Sequence, residues 1–158
     1  MKSFLITALV LLTTAVCLNA QSPVLNSYYE MKDALVSSNA AAAAKHAGNF
    51  VKAIDGLQIP DSAVGKSHAL SHTLDKLRTD GKLLADAKNI SQQREYFASL
   101  SNNLVLLAKA IKLSTDPVYQ QYCPMKKWYW LSNEPSIRNP YYGKAMLSCG
   151  NITETIMP

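Results

Sequence analysis

The chain has 158 residues, the length of one ordinary domain, and its 48% hydrophobic and 17% charged content excludes a disordered polymer. Lys and Arg number 16 against 11 Asp and Glu, a formal charge of +5. A nucleic-acid interface gathers such an excess into a stripe, whereas the longest basic run here is Lys126-Lys127, so no nucleic-acid partner is expected.

Residues 1–20 read as a cleaved secretory signal peptide. Lys2 gives a positive start, Phe4 to Leu18 form an apolar run, and Leu18-Asn19-Ala20 ends in the small residue that signal peptidase requires. The run is short for a bilayer span, which needs about 20 residues, and no second one follows, so no stable membrane span is expected after cleavage. A lipoprotein reading through Cys17 is less favoured, because Val16 stands where lipid attachment wants a small residue. The expected location is the periplasm or the exterior of a Gram-negative cell, with residues 21–158 as a single helical domain.

The mature chain opens with helical periodicity. Val24, Leu25, Tyr28, Met31 and Leu35 draw one stripe on a first helix, which Ser37-Ser38-Asn39 interrupts. Asn39 is a good N-cap for the alanine run 40–44, and Ala43, His46, Ala47, Phe50, Val51 and Ile54 continue a second stripe to Gly56. Pro60 opens a third helix reaching about Lys88, with Val64, His68, Leu74, Leu77 and Leu84 on its periodic positions and Gly81 weakening its middle. Ser91 caps a fourth, where Phe97, Leu100, Leu104, Leu107, Ala108 and Ile111 make the clearest stripe. Four such segments joined by short loops predict an all-α, up-and-down bundle over residues 23–113.

After Asp116-Pro117 the helical period stops. Residues 117–158 hold most of the tyrosines, both tryptophans and both mature cysteines, and are broken by Pro124, Pro135, Pro140, Gly143 and Gly150. This predicts an irregular tail packed on the bundle, too short to bury itself alone.

The tail carries the chemistry. Met125 lies two residues beyond Cys123, and Met146 lies three before Cys149. Thiolate and thioether ligands favour soft, low-charge metals, above all Cu(I), with Ag(I) as its chemical lookalike, whereas Zn sites prefer Cys and His. Trp128 and Trp130 are placed to shield such a cation. A Cys123–Cys149 disulfide explains the same cysteines, stabilising an exported chain by roughly 3.5 kcal/mol, with the methionines as core filler. Spacing leaves both readings open.

His68 and His72, four apart on one helix, are additional metal-ligand candidates, though no metalloprotease Glu accompanies them. His46 reads as a hydrogen-bonded core histidine. No enzymatic activity is expected: there is no Gly-x-Ser-x-Gly, phosphate loop or dinucleotide fingerprint, and Glu30, Glu95, Glu134 and Glu154 are scattered.

Several strings occur here in one order: Lys32-Asp33-Ala34-Leu35-Val36, the run Gln93 to Ser101, Val118 to Lys127, Tyr129 to Ser132, Ile137 to Gly143, Met146 to Gly150 and Thr153 to Ile156. Together they resemble a bacterial family of exported domains of unknown function. Its members occur alone as secreted proteins of Gram-negative bacteria, or appended to periplasmic adaptor subunits of copper and silver efflux pumps. The resemblance implies a heavy-metal role, with the family's sulfur positions falling on Cys123, Met125, Met146 and Cys149. It also implies a copper or silver efflux complex, or another periplasmic protein, as partner. Relatives carry further helical histidines, one where this chain has Tyr96 and another near Leu83. Two expectations follow: a periplasmic Cu(I) or Ag(I) binder or buffer, or a disulfide-bonded protein-interaction module that touches no metal.

Overall fold

The computed structural model describes residues 22–59 and 67–157, and the signal-peptide reading, with the start of the third helix at Pro60, lies outside them. Four helices come first: α1 Pro23–Val36, α2 Ala40–Asp55, α3 Ser67–Asp86 and α4 Ile90–Ala110. Ser22 caps α1 ahead of Pro23 by accepting from the Leu25 N–H, and Asn39 caps α2 by accepting from Ala42. The fourth cap is Asn89, which accepts from Gln92, two residues earlier than the Ser91 expected. Asn and Ser both suit the position, and the residue that fills it lengthens α4 by half a turn.

Each helix packs on the next in sequence, and α4 also packs on the segment that follows. The predicted stripe of α1 is buried, as are Phe97, Leu100, Leu104, Leu107 and Ile111 of the fourth stripe, Ala43, Ala47, Phe50 and Ile54 of α2 and Leu77 and Leu84 of α3, while Ala108 is half-buried. His68 is exposed instead of lying on the α3 stripe. Gly81 does more than weaken α3: a Cβ there would stand 2.7 Å from the Val51 side chain, so its absence lets α2 and α3 approach closely.

The expected all-α architecture with an irregular tail is wrong. The tail is a three-stranded antiparallel sheet of β1 Val118–Cys123, β2 Trp128–Ser132 and β3 Asn151–Ile156, in the order β2-β1-β3, with a short 3-10 helix at Gly143–Met146. The fold is therefore α+β. Tyr119 faces Ser132 and Cys123 faces Trp128 across one ladder, while Val118 faces Ile156 and Tyr122 faces Asn151 across the other. The β1–β2 loop is Pro124-Met125-Lys126-Lys127, closed by the Lys127 N–H on the Cys123 carbonyl at 2.8 Å with Lys127 at φ +58°. A bulge between Gln120 and Gln121 shifts the β1–β3 register.

The sheet is bonded to the helices through aromatic groups. Tyr28 stacks on Phe97 at 5.1 Å, Phe97 meets Tyr141 at 5.9 Å, and the Tyr141 ring takes the edges of Trp128 and Trp130 at 5.1 and 5.9 Å. The Tyr28 hydroxyl accepts from the Leu131 N–H at 3.0 Å and pairs with Ser101 Oγ at 2.8 Å, so one atom joins α1, α4 and β2. The Tyr141 hydroxyl donates to the Tyr129 carbonyl. Burial holds the Tyr28, Tyr29 and Tyr141 hydroxyls far above the ordinary tyrosine range.

Candidate functional site

Cys123 ends the central strand and is fully buried. Cys149 comes to it from the other end of the tail, and its delivery depends on Asn139. Asn139 Oδ1 accepts from the N–H groups of Tyr141 and Tyr142 at 2.8 and 3.3 Å, turning the chain after Pro140. Its backbone N–H donates to Leu147 and its Nδ2 to the Cys149 carbonyl at 2.6 Å. Asn139 thus ties Ile137–Gly143 to Met146–Gly150, two of the strings singled out above.

Arg94 of α4 fixes this arrangement to the helices. Its Nε donates to the Pro140 carbonyl at 2.9 Å, and its Nη2 to the Leu35 carbonyl and Ser38 Oγ at 3.1 and 3.0 Å. Gly143 lies against the same group at φ +56°, where a Cβ would stand 2.8 Å from the Val36 carbonyl oxygen. Gly150, at φ +155°, leaves room for the Trp130 ring and the Tyr122 carbonyl, which a Cβ would meet at 2.8 and 2.9 Å. Sequence reasoning gave Arg94 no role at the site, and read Asn139-Pro140 as a bend and Gly150 as the end of a turn without their contacts to Cys149 and Trp130. The signal available was a buried-type Asn before Pro and a lone Arg in an otherwise apolar helix stripe.

The two thiols are thereby brought into side-chain hydrogen-bond contact, without an S–S bond. Cys149 is half-buried and Cys123 is not exposed at all. Burial pushes the Cys149 thiol up, the adjacent Cys123 pushes it the same way, and a backbone hydrogen bond from Met125 pulls it down. No lysine or arginine contributes to that shift, so at neutral pH the Cys149 sulfur is a thiol rather than a thiolate.

The methionines bracket this pair through their backbones: Met125 bonds the Cys149 thiol, and the Met146 carbonyl accepts from the Cys149 N–H at 3.1 Å. Their side chains are open to solvent, Met125 at 63% and Met146 at 36%, and neither fills the core. Trp128 has Lys126 Nζ over its face at 5.0 Å, and the same ammonium lies 5.7 Å from the Tyr142 ring. Trp130 is buried beside Gly150 with its Nε1 unpartnered. His68 and His72 are both exposed on α3. Among the described residues no three His, Cys, Asp or Glu side chains gather as a metal cluster. His46 is half-buried with Nδ1 2.9 Å from Glu30 Oε2, a pairing between α2 and α1.

The side chains that could hold a soft monovalent ion such as Cu(I) or Ag(I) are those of Cys123 and Cys149, with Met125 and Met146 beside them along the chain. A family model described as "Protein of unknown function (DUF3347)" matches residues 24–116, which covers the four helices and stops before the sheet. No curated protein matches the chain, and no solved structure does.

Proposed function

The chain belongs to the DUF3347 family of proteins of unknown function, and from that premise we propose that its sheet adds to the family's helices a dithiol that binds Cu(I) or Ag(I) in the periplasm. The observation that carries this reading is the contact between the Cys123 and Cys149 thiols at the end of β1. Cys123 and Cys149 would hold the metal, which replaces their protons on binding. Met125 and Met146 would serve as outer, weaker donors, and an exposed rim of this kind suits transfer of the ion to an efflux complex or another periplasmic protein. The rest of the tail orients the sulfurs: Asn139 holds the Cys149 carbonyl, and Arg94 holds the turn that contains Asn139.

The same thiol contact favours a second reading, a disulfide-bonded interaction module that takes up no metal. The test is an anaerobic competition titration of the reduced mature chain with a chromophoric Cu(I) chelator. The metal reading expects a single equivalent bound, with Cys123→Ser and Cys149→Ser each weakening binding by more than about 100-fold, and Met125→Leu or Met146→Leu by less than about tenfold. Cysteine variants that compete as well as the parent would refute it. A chain that arrives from the periplasm two hydrogens light and takes up no Cu(I) after reduction supports the disulfide module.

A further inference from the structure

The two cysteines differ in a way that metal binding does not require. Cys123 is sealed: its exposure is zero, its strand is paired on both sides, and the Lys127 N–H pins its carbonyl. Cys149 sits half-buried in the turn between the 3-10 helix and β3, followed at once by Gly150. Cys149 packs against the core that contains Cys123, the two thiols interact, and the backbone of Met125 bears on the Cys149 thiol as well. Cys149 is thus the partly exposed member of the pair and Cys123 the sealed one.

We propose that Cys123 and Cys149 form a thiol–disulfide exchange pair in which Cys149 is the attacking sulfur and Cys123 the resolving one. The co-reactant is a small or extended disulfide, RSSR. Cys149 gives up its proton to solvent and its thiolate attacks one sulfur of RSSR; the S–S bond of RSSR breaks, its other sulfur leaves as RS⁻ and takes up a proton, and a Cys149–S–S–R mixed disulfide forms. Cys123 loses its proton and attacks Cys149 Sγ, forming the internal bridge and expelling the second RS⁻, which is also protonated. The dithiol loses two electrons and two protons, and RSSR becomes two RSH. In reverse, an incoming thiolate attacks Cys149 Sγ, expels Cys123 as a thiolate that takes up a proton, and leaves a Cys149 mixed disulfide that a second thiolate resolves. The Met125 N–H, placed on the Cys149 sulfur, steadies the anion at that step.

The inference rests on the thiol pair and not on its affinity for metal, so its test contains none. The reduced mature chain is mixed with oxidised glutathione, quenched in acid at intervals, and mapped by mass spectrometry. The wild-type chain should pass through a glutathione adduct on Cys149 alone and end as the internal disulfide. Cys123→Ala should stop at a lasting Cys149 adduct. Cys149→Ala should be modified more than about 100-fold more slowly, and should catch up in urea, because Cys123 then waits for local opening. An adduct on Cys123 in the native wild-type chain, or equally fast modification of the two single variants, would overturn the assignment. Where a variant fails to fold, pulsed maleimide labelling of the wild-type chain gives the answer: Cys149 labelled first supports the order, and equal labelling refutes it. A chain that passes here but ignores Cu(I) loses the metal reading alone, and one that binds Cu(I) but labels both cysteines equally loses only the exchange order.

Discussion

Replacing Tyr29 by Phe should leave the protein at least as stable at pH 8 and clearly more stable at pH 11. Tyr29 is 5% exposed, its hydroxyl has no hydrogen-bond partner among the described residues, and burial alone raises its pKa. A buried unpartnered hydroxyl costs about 1–3 kcal/mol, so deleting it should gain about 1 kcal/mol at pH 8. Phe keeps the ring's edge contact with Tyr28 at 5.9 Å and its place 5.8 Å from Lys32 Nζ. The alkaline effect has a definite sign. The unfolded phenol ionises near pH 10 while the folded one keeps its proton, so the folded state binds more protons and stability falls as pH rises above 10. By pH 11 that loss is about 1.4 kcal/mol per tyrosine. Tyr28 and Tyr141 are raised by burial in the same way, giving a wild-type loss of about 4 kcal/mol at pH 11, a third of which Tyr29→Phe removes. Urea unfolding followed by far-ultraviolet circular dichroism at pH 8, 10 and 11 reads both quantities. A variant weaker than wild type by more than about 0.5 kcal/mol at pH 8, or one with an unchanged alkaline slope, would show that the hydroxyl is partnered or solvated.

Tyr28→Phe should have the opposite effect, losing about 2 kcal/mol in the same assay because the buried Leu131 N–H and the Ser101 hydroxyl lose their partner; adding Ser101→Ala should cost little more. Lys32, 3% exposed and 3.4 Å from Asp33 Oδ1, is held below its ordinary pKa by burial, so the unfolded chain binds the extra proton and stability rises with pH through the window below 10.5. Lys32→Met should therefore be neutral or up to about 2 kcal/mol stabilising at pH 7 and should abolish that rise, measured by urea midpoint against pH. Gly150→Ala, forced onto the Trp130 ring at φ +155°, should cost about 2 kcal/mol or more and slow bridging of the cysteines by oxidised glutathione at least about tenfold; an unchanged bridging rate would show that Gly150 does not position Cys149.

The helices were legible because their signals are local. The cap at Asn39 and stripes at three- and four-residue spacing depend on neighbours in sequence, and packing then buried most of the residues those stripes named, His68 being exposed. The sheet was not legible for reasons visible in its strands. Gln121 occupies a fully buried position of β1 and its Nε2 donates to the carbonyls of Glu134, Pro135 and Ser136, so the apolar alternation that marks a strand is broken by a buried glutamine. From Asn151 to Thr155 β3 is exposed and has no alternation to read. The four turn residues between two aromatic-rich runs were a hairpin signal that proline punctuation obscured. At the site, sequence found the two cysteines but could not pair them, since their contact is set by β1–β3 pairing and by Asn139. Nearness of methionine to cysteine along the chain did not become side-chain burial, as the exposure of Met125 shows.

The placement of Cys123 at the end of β1 and of Cys149 in the turn just before β3 has a mechanical consequence. β3 is an edge strand, held by β1 and by a surface ion pair of Glu154 with Lys109, whereas the other edge, β2, packs on α4, so β3 is the strand more easily peeled from the sheet. Peeling it by a few residues carries Cys149 off Cys123 while the helices stay folded. Whatever spans the two sulfurs therefore acts as a rivet on that edge. It should slow amide hydrogen exchange in Asn151–Ile156 and leave α2 and α3 unchanged, so the state of the thiol pair can be read from the fraying of a strand to which neither cysteine belongs.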